Sequence, residues 1–298
     1  MPKVTYDKSK AGGFLIDLHI HSNYSDGSLS PNQLIELARD SGVGIISITD
    51  HDTLLGNQNI VYNQILESGD VKIIPGIELS AKVNRGRMHI LGYDIDIYNK
   101  LLNKKMEELR GNSLNSVLST IEQIKRDYGI IFSYEELIEL INAKHNLGRP
   151  DIAKLCVKKG YASTIQEAFE KYLIEAYRKV RGTNKGLSYE ECIELILRSG
   201  GIPVLAHPCT LGRTDAELLE LIKTMISCGL MGIEVYHSNH NYTETAKYLE
   251  LANQFDLLIS GGTDFHGDPV KPDVKIGTGR NNNIKIKQLS LFDKIRER

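Results

Sequence analysis

Two histidines one residue apart, His19 and His21, follow a short apolar run in "FLIDLHIHSNYSD" near the amino terminus. On a β-strand, residues i and i+2 point to the same face, so the two imidazoles are expected to lie side by side where the strand ends. An isolated pair of this kind is also compatible with a polar strand end that faces water. The pair indicates a metal site only if other strands supply further ligands.

Five other apolar runs carry His, Asp or Glu near their ends. These motifs are "ITDHDT" with Asp50, His51 and Asp52, "PGIELS" with Glu78, "RMHILGY" with His89, "LAHP" with His207, and "GGTDFHG" with Asp264 and His266. Imidazole and carboxylate without thiolate suit Zn, Mn or Fe, and a bridging carboxylate suits more than one ion. Neighbouring ions can clamp a phosphoryl group and activate water at neutral pH. The motifs therefore predict a multinuclear metal site for phosphoryl chemistry.

The elements that would position these residues alternate between strands and helices. Strands are predicted over 14–20, 44–49, 71–79, 88–95, 201–207, 232–236 and 257–262. A helix is predicted over 30–42, with Ser30 as its cap, Pro31 in its first position and Gly42 at its end. Such alternation predicts an α/β fold with parallel pairing, in a barrel or an open sheet, and an active site at the carboxyl ends of the strands.

Residues 99–187 interrupt this alternation. They are charged and helical in pattern, with no convincing strand, and we interpret them as a helical insertion between the fourth and fifth strands.

Composition narrows the functional class. The chain has 298 residues, a formal net charge of −2 and 41% hydrophobic residues, so it has no overall basic field for nucleic acid. No apolar run reaches the roughly 18 residues that span a bilayer, and the first residues lack the apolar segment of a secretory signal. The four cysteines form no CxxC pair, which argues against a disulfide framework or thiolate metal site and favours a cytoplasmic location. We predict that they are small buried residues.

The motifs "DLHIHSNYSDG", "ITDHDT", "PGIELS", "LAHP" and "GGTDFHG", in this order, resemble the PHP (polymerase and histidinol phosphatase) family over residues 14–95 and 188–280. The resemblance implies a distorted seven-stranded (β/α) barrel with a trinuclear centre at the carboxyl ends of the strands. It divides the chain into a metal-binding barrel, 1–98 and 188–298, and a helical insertion, 99–187, that caps the substrate. It also implies phosphate ester hydrolysis by a metal-bound hydroxide.

The resemblance assigns a ligand role to nine residues. The first ion would be held by His19, His21, Glu78 and Asp264, and Glu78 would bridge to a second ion held by His89 and His207. The third would be held by Asp26, His51 and His266. Asp17 and Asp50 would orient neighbouring imidazoles. Manganese is the expected ion, with iron or zinc as alternatives.

Substrate recognition is expected from the insertion and from the segment after the sixth strand. Residues 148–173 resemble the small helical domain of stand-alone family members that release phosphate from nucleoside 3′,5′-bisphosphates or trim RNA from its 5′ end. The sequence departs from these relatives at Asp151, where they often have histidine, and over 175–186. We predict that Arg149 binds a second phosphate and that His240 and His237 contact substrate. We expect His145 on the surface.

The sequence therefore predicts a metal-dependent phosphohydrolase that acts on a phosphorylated small molecule or a short RNA, with no membrane association and no obligate protein partner. Mononucleotide and RNA substrates both stay open. Two alternatives remain: a histidinol-phosphate phosphatase with the same metals, and a non-catalytic module that serves as a scaffold for another protein.

Overall fold

A computed structural model describes residues 14–62, 71–143, 147–180 and 186–298. His145, and residues 181–185 of the divergent segment, lie outside this part of the chain. The first elements are β1 (Leu15–Ile20), α1 (Pro31–Asp40), β2 (Val43–Ile48), α2 (Leu55–Tyr62) and β3 (Lys72–Ile73). The three strands form a parallel sheet in the order β1-β2-β3.

The start of α1 has the predicted capping chemistry. The Ser30 hydroxyl accepts a hydrogen bond from the Gln33 backbone N–H, and the Gln33 side chain accepts one from the Ser30 N–H. Pro31 occupies the first turn, and Gly42, two residues beyond the last helical residue, adopts a positive φ of 71°. The predicted helix is therefore confirmed.

A second sheet contains β4 (Gly76–Ala81), β5 (Met88–Tyr93), β6 (Ile202–Leu205), β7 (Gly232–His237) and β8 (Leu258–Gly262), in that order. The single strand predicted over 71–79 is two strands, because Pro75 has no N–H to donate and separates β3 from β4. β3 pairs with β2, whereas β4 pairs with β5.

Parallel pairing was predicted for all strands, and this was wrong for β5. The pairs β6–β7 and β7–β8 are parallel, but β5 runs antiparallel to both β4 and β6. Only residues 82–87 connect β4 to β5, and a parallel connection needs about a dozen residues or more. The reversal brings the first residues of β5 to the edge where its neighbours end. We call this edge, where β1, β2, β4, β6, β7 and β8 end and β5 begins, the ligand edge.

The two sheets touch at two seams, and they do not form the single closed barrel that was expected. Each seam has one isolated parallel bridge, Ile20 with Phe265 and His51 with Glu78. At the seam between β1 and β8, the Asp17 carboxylate accepts hydrogen bonds from the Thr263 N–H at 2.8 Å and its hydroxyl at 2.7 Å. A side chain thus replaces part of the backbone ladder that would close a barrel.

A buried side chain also bridges the seam between β2 and β4. The Asn57 amide donates to the carbonyl oxygens of Ile48 and Gly76, both at 2.9 Å. Asn57 is buried, and its donors satisfy two carbonyl groups at the ends of strands that have no regular ladder between them.

The remaining helices fall into two groups along the chain. The strand-free region contains α3 (Lys100–Tyr128), α4 (Tyr134–Ala143), α5 (Arg149–Lys158), α6 (Ile165–Ala168) and α7 (Ile174–Val180), with a π-helical turn (Phe169–Leu173) joining the last two. The second sheet is accompanied by α8 (Tyr189–Arg198), α9 (Asp215–Ser227), α10 (Tyr242–Gln254) and α11 (Ser290–Arg296). A short antiparallel pair, β9 (Val274–Lys275) and β10 (Gly279–Arg280), precedes α11.

α3 takes part in two hydrophobic clusters. Leu102 and Met106, near its start, belong to the cluster that covers the second sheet. Val117 and Ile121, further along, pack with residues of α5 to α7 in a separate cluster. Within the described residues, 100–143 and 147–180 contain no strand, as predicted.

Two further predictions concern the burial of the cysteines and the lack of a membrane-spanning segment. Cys156 and Cys192 are buried, but Cys209 and Cys228 are only partly buried, so the prediction of four buried cysteines was half right. The described cysteines form no disulfide. In the described chain, every helix is too short or too polar to cross a bilayer.

Candidate metal centre

One buried carboxylate stands at the centre of the ligand edge. Glu78 lies on β4 with its side chain only 1% exposed, and imidazole nitrogens from five histidines surround its two oxygens. Its Oε2 lies 3.2 Å from nitrogens of His19, His21 and His51. Its Oε1 lies 2.8 Å from His89 Nδ1 and from His207 Nε2. Glu78 is thus the residue that these five imidazoles share.

Asp264 completes the first predicted ligand group. Its Oδ1 lies 3.3 Å from His21 Nε2 and 3.7 Å from His19 Nε2. Asp264 has a positive φ of 57°, a backbone conformation that directs the chain sharply at the end of β8. The four residues predicted to hold the first ion therefore converge.

The second group pairs His89 with His207 against Glu78. His89 Nδ1 and His207 Nε2 lie 3.3 Å apart. His89 was expected near the carboxyl end of its strand, but it is the second residue of β5. It reaches the ligand edge because β5 is reversed. His207 has a φ of 23° and lies two residues beyond the end of β6, where Thr210 Oγ1 is 3.0 Å from its Nδ1.

The third group contains Asp26, His51 and His266. Asp26 Oδ1 lies 3.1 Å from His266 Nε2, and Oδ2 lies 3.9 Å from His51 Nε2. The other ring nitrogen of His266, Nδ1, lies 2.8 Å from the Asp264 carbonyl oxygen, which orients the ring with Nε2 toward Asp26. His21 connects the first and third groups, since its Nδ1 is 3.6 Å from Asp26.

Asp17 and Asp50 were expected to orient imidazoles, but their hydrogen bonds go elsewhere. Asp50 accepts from the Ser22 N–H and hydroxyl and from the Ser25 hydroxyl. The two buried carboxylates therefore fix the backbone that carries ligands rather than the rings themselves. Burial raises the pKa of Asp17 and of Asp50, and their hydrogen bonds act against this shift.

Glu234 performs the role that was assigned to those aspartates, and sequence reasoning missed it. This buried residue of β7 has Oε1 2.8 Å from His19 Nδ1, and its Oε2 accepts a hydrogen bond from the His207 N–H at 2.7 Å. Burial raises the pKa of the Glu234 carboxyl, but the charges of His19 and His237 outweigh burial and lower this pKa to about 2. The available signal was an acid inside the apolar run "GIEVY".

His237, the last residue of β7, and His240, three residues further on, lie close to each other beside a cavity of about 560 Å³ that both line. His237 Nδ1 accepts a hydrogen bond from the Asn239 N–H, so Nε2 carries the proton and lies 3.4 Å from Asp264 Oδ2. His240 donates from Nδ1 to the Val235 carbonyl at 2.9 Å. His237 therefore reaches the ligand cluster, whereas His240 lies behind it.

Arg149 is not joined to the cluster by any described contact. It is exposed at the first position of α5, and its guanidinium lies 4.3 Å from the centre of the Tyr177 ring. Asp151, the residue that departs from the relatives, accepts a hydrogen bond from the Gly148 N–H at 2.9 Å and so caps α5. The aspartate thus has a local structural role.

The protonation of the cluster follows from its charges. Burial raises the pKa of Glu78, but the imidazoles of His51, His19 and His89 outweigh burial and hold it well below its usual range. Burial lowers the pKa of His21, but Asp264 and Glu78 raise it to about 9. Burial dominates at His51 and lowers its pKa to about 3.

The residues fit divalent ions. Both ring nitrogens of His21 are buried and make no hydrogen bond, although carboxylate oxygens lie 3.2 to 3.6 Å away. A buried polar atom without a hydrogen bond is costly, and an ion between the nitrogen and the carboxylates would satisfy both. Among the described residues, possible ligand atoms lie within 4.8 Å of one another in four groups. Three of the groups are drawn from the nine predicted residues: His21, Asp26, His51 and His266; His19, His21 and Glu78; His51, Glu78 and His89.

The fourth group consists of His19, Glu234 and His237. We interpret the contact between Glu234 and His19 as a hydrogen bond, because a carboxylate bonded to the far nitrogen of an imidazole is the usual way to orient a metal ligand.

Comparison with known proteins identifies the class. The PHP domain family model matches residues 17–190. The phosphoribosyl 1,2-cyclic phosphate 1,2-diphosphodiesterase of Eggerthella lenta is 30% identical over 260 residues, which cover 84% of this chain and 94% of the relative. The 3′,5′-nucleoside bisphosphate phosphatase of Chromobacterium violaceum is 27% identical over 253 residues (84% and 87%). The 5′-3′ exoribonuclease Rnm of Salmonella typhimurium is 30% identical over 261 residues (85% of each).

Solved structures agree on the fold. An amidohydrolase from Chromobacterium violaceum superposes with a TM-score of 0.74 at 23% identity over 95% of this chain and 96% of its own. A proposed metal-dependent phosphoesterase from Bifidobacterium adolescentis gives 0.72 at 27% identity, over 95% and 94%. Fold and cluster define a metal-dependent phosphoesterase, a hydrolase of phosphoric esters. The chain belongs to the PHP family.

Proposed function

We propose that the ligand edge holds three divalent ions, with manganese as the first choice, and hydrolyses a terminal phosphate ester of a nucleotide or of an RNA 5′ end. The observation that carries this proposal is the convergence of five imidazoles on Glu78, with Asp264 and Asp26 on either side of His21. When bound, the ions would neutralise charge on the phosphoryl oxygens and supply an activated water as nucleophile.

The chain's own groups would hold and orient this centre. Glu78 would join the first and second ions, because each of its oxygens faces a different set of imidazoles. His21 supports a short distance between the first and third groups, since its two nitrogens face Glu78 and Asp26 respectively. Glu234 would keep the His19 tautomer with Nε2 directed at the ions.

We propose that residues 99–187 form a domain that caps the substrate, with Arg149 as its phosphate-binding residue. Arg149 opens α5, where the helix N-terminus favours anions, and stacking on Tyr177 restricts its guanidinium before any ligand arrives. His237, at 3.4 Å from Asp264, is the histidine that we assign to the reacting phosphate. His240, hydrogen-bonded to Val235, would support His237.

The similarity to the Eggerthella lenta enzyme supports a second candidate, hydrolysis of a cyclic phosphodiester, because that relative matches the chain at 30% identity over nearly its whole length. The two candidates share the metal centre and differ in the substrate. A cytoplasmic location would suit either one, and the free thiols of the described cysteines support it.

One screen tests these proposals. Purified protein with Mn²⁺ is incubated with a nucleoside 3′,5′-bisphosphate, a short 5′-phosphorylated RNA, a five-membered cyclic ribose phosphate and histidinol phosphate, and released phosphate or opened diester is measured. We expect turnover of the bisphosphate or RNA to exceed that of histidinol phosphate by at least about 100-fold in kcat/KM. Preference for the cyclic ester would select the second candidate. No turnover with Mn, Fe, Zn, Co or Mg would reject both, and protein without bound metal would favour a scaffold.

A further inference from the structure

Lys271 forms a close ion pair with a predicted metal ligand, and nothing in the sequence motifs marked it. Its Nζ lies 2.5 Å from Asp264 Oδ2 and 3.4 Å from the Asp264 carbonyl oxygen. The lysine side chain is 31% exposed and the aspartate side chain 12% exposed, so the pair lies at the boundary between the buried cluster and solvent. The ammonium therefore occupies the rim of the candidate metal centre.

The backbone holds Lys271 in this position. The loop after β8 turns back on itself because the N–H groups of Val270 and Lys271 both donate to the Gly267 carbonyl, at 2.9 and 3.0 Å. Gly267 has a positive φ of 73°, and an added Cβ would lie 2.3 Å from the Ser28 hydroxyl, so the turn requires glycine. The loop thus places the lysine beside Asp264 by backbone hydrogen bonds that do not depend on the ion pair.

The two oxygens of Asp264 face different partners. Oδ1 faces His21 and His19, two other members of the first ligand group, whereas Oδ2 faces Lys271 and His237. A metal ion would draw on the same carboxylate charge that the ammonium now uses. Lysine and metal are therefore competitors for Asp264.

The charge of a centre loaded with three ions, as proposed above, would act on the lysine ammonium. Three divalent ions bring six positive charges, and the carboxylates of Glu78, Asp26 and Asp264 offset about half of them. An additional ammonium a few Å away is repelled by this excess unless an anion lies between. A phosphate dianion at the open side of the ions would meet that need, and lysine is an effective point charge for phosphate.

Given the proposed phosphohydrolase function, we infer that Lys271 is a substrate-binding residue that exchanges partners: it pairs with Asp264 in the metal-free protein and with a non-bridging oxygen of the substrate phosphate in the loaded enzyme. It would contact the phosphate from the solvent side, opposite the ions. Its effect is on phosphate affinity, and it transfers no proton.

The test compares Lys271→Met with Lys275→Met. Lys275 is an exposed lysine on β9, four residues away. Mn²⁺ binding to the metal-free proteins and inorganic phosphate binding to the Mn²⁺-loaded proteins are both measured by calorimetry. In Lys271→Met we expect Mn²⁺ to bind about 3- to 10-fold more tightly, because Asp264 is released, and phosphate to bind roughly 10- to 100-fold more weakly. KM for a phosphate ester should rise more than kcat falls, Lys271→Arg should restore part of the phosphate affinity, and Lys275→Met should match the parent protein.

The opposite signs of the two effects distinguish this inference from a structural role. If the ion pair only holds the ligand loop, Lys271→Met weakens Mn²⁺ and phosphate binding together and lowers the melting temperature, which overturns the inference. Unchanged phosphate affinity overturns it as well. Neither measurement requires turnover, so a protein that binds phosphate through Lys271 but hydrolyses no ester would reject the proposed function alone.

Discussion

The ligand edge and the helices of 99–187 differ in how far their charged side chains are buried and in how many partners each side chain contacts. At the ligand edge, most acids and histidines are buried and contact several others, as Glu78 does with five imidazoles. In the helices, the described charged pairs lie at the surface, either one helical turn apart, as Lys171 with Glu167 and Arg178 with Glu175, or between two helices, as Lys179 with Asp127. Exposed pairs contribute little to stability, so they can change without disturbing their neighbours. A buried network cannot change in this way.

This difference indicates where the members of such a family can diverge. A substitution at the ligand edge alters several pKa values and the positions of several ligands at once. A substitution on the helices alters one surface group. We therefore expect metal chemistry to depend on the ligand edge, and preference among phosphate esters to depend on the helices.

The largest effect is expected for Glu78→Gln. The amide removes the negative charge that five imidazoles share, so neighbouring ions would repel each other more strongly and at least one should be lost. Activity should fall by about 1000-fold or more. Elemental analysis and phosphate release measure the two effects, with Glu36→Gln, an exposed acid on α1, as the matched control. Full metal occupancy in Glu78→Gln would contradict the bridging role.

Glu234→Gln should show that a residue without direct contact to the ions still belongs to the ligand edge. Glutamine has a single acceptor oxygen, so it can accept from the His19 Nδ1–H or from the His207 N–H but not from both, and its NH2 group would face the remaining donor. Metal affinity, measured by competition with a chelator, should fall roughly 10- to 100-fold. Wild-type affinity in this variant would show that the two histidines hold their positions without the carboxylate.

Arg149→Ala tests whether the helices of 99–187 determine the preference among phosphate esters. If the guanidinium binds the second phosphate, kcat/KM for a nucleoside 3′,5′-bisphosphate should fall by about 30-fold, roughly 2 kcal/mol, with metal content intact. Hydrolysis of a simple aryl phosphate should change little. Arg178→Ala, on the exposed face of α7, is the matched control. Equal losses on both substrates would mean that Arg149 supports folding or the metals and does not select the substrate.

The smallest effect is expected in the pH dependence of stability of the metal-free protein. The pKa of His21 is raised to about 9 from 6.5, so its contribution is complete below pH 6.5 and is lost as the pH rises through 9. The pKa of His51 is lowered to about 3, so the folded state loses stability as the pH falls below 6.5. The melting temperature should therefore be highest near pH 6.5.

Bound metal should abolish the fall in melting temperature above pH 6.5. A bound ion replaces the proton of His21, so Mn²⁺-loaded protein should keep its melting temperature between pH 6.5 and 9 while chelator-treated protein loses several degrees. Thermal unfolding over this range measures both curves. A flat profile for the chelator-treated protein would contradict the raised pKa of His21.

The candidate site was largely predictable because the carboxyl ends of parallel strands meet at one edge. His19, His207 and Asp264 could be grouped from their positions in the apolar runs alone, and the structure brings all nine predicted ligands together. His89 lies beside Glu78 and His207, but not for the reason expected, since the short connection over 82–87 reverses its strand.

Other features depend on which side chain meets which group across the fold, and spacing along the chain does not contain that information. Glu234 and Lys271 lie 215 and 252 residues from His19 in the sequence. At the open seams, the Asp17 carboxylate accepts from the Thr263 N–H, and the Asn57 amide donates to the Ile48 carbonyl. Asp17 lies within β1 and Asn57 within α2, and the spacing of the motifs does not indicate that either residue joins two sheets.

The reversal of β5 also determines how the helices can be carried. Because β5 ends at the edge opposite the ligands, α3 must start there, where the Asn99 amide donates to the Arg198 carbonyl at the end of α8. With 29 residues α3 is about 43 Å long, roughly three times the length of α8 with its 10 residues, so only its first turns pack against the second sheet, through Leu102 and Met106. The chain returns at Leu187, bridged to Ala81 at the end of β4. The helices of 99–187 are thus joined to the sheets at two places, the start of α3 and Leu187. A different set of helices could be inserted between these two places without moving a strand.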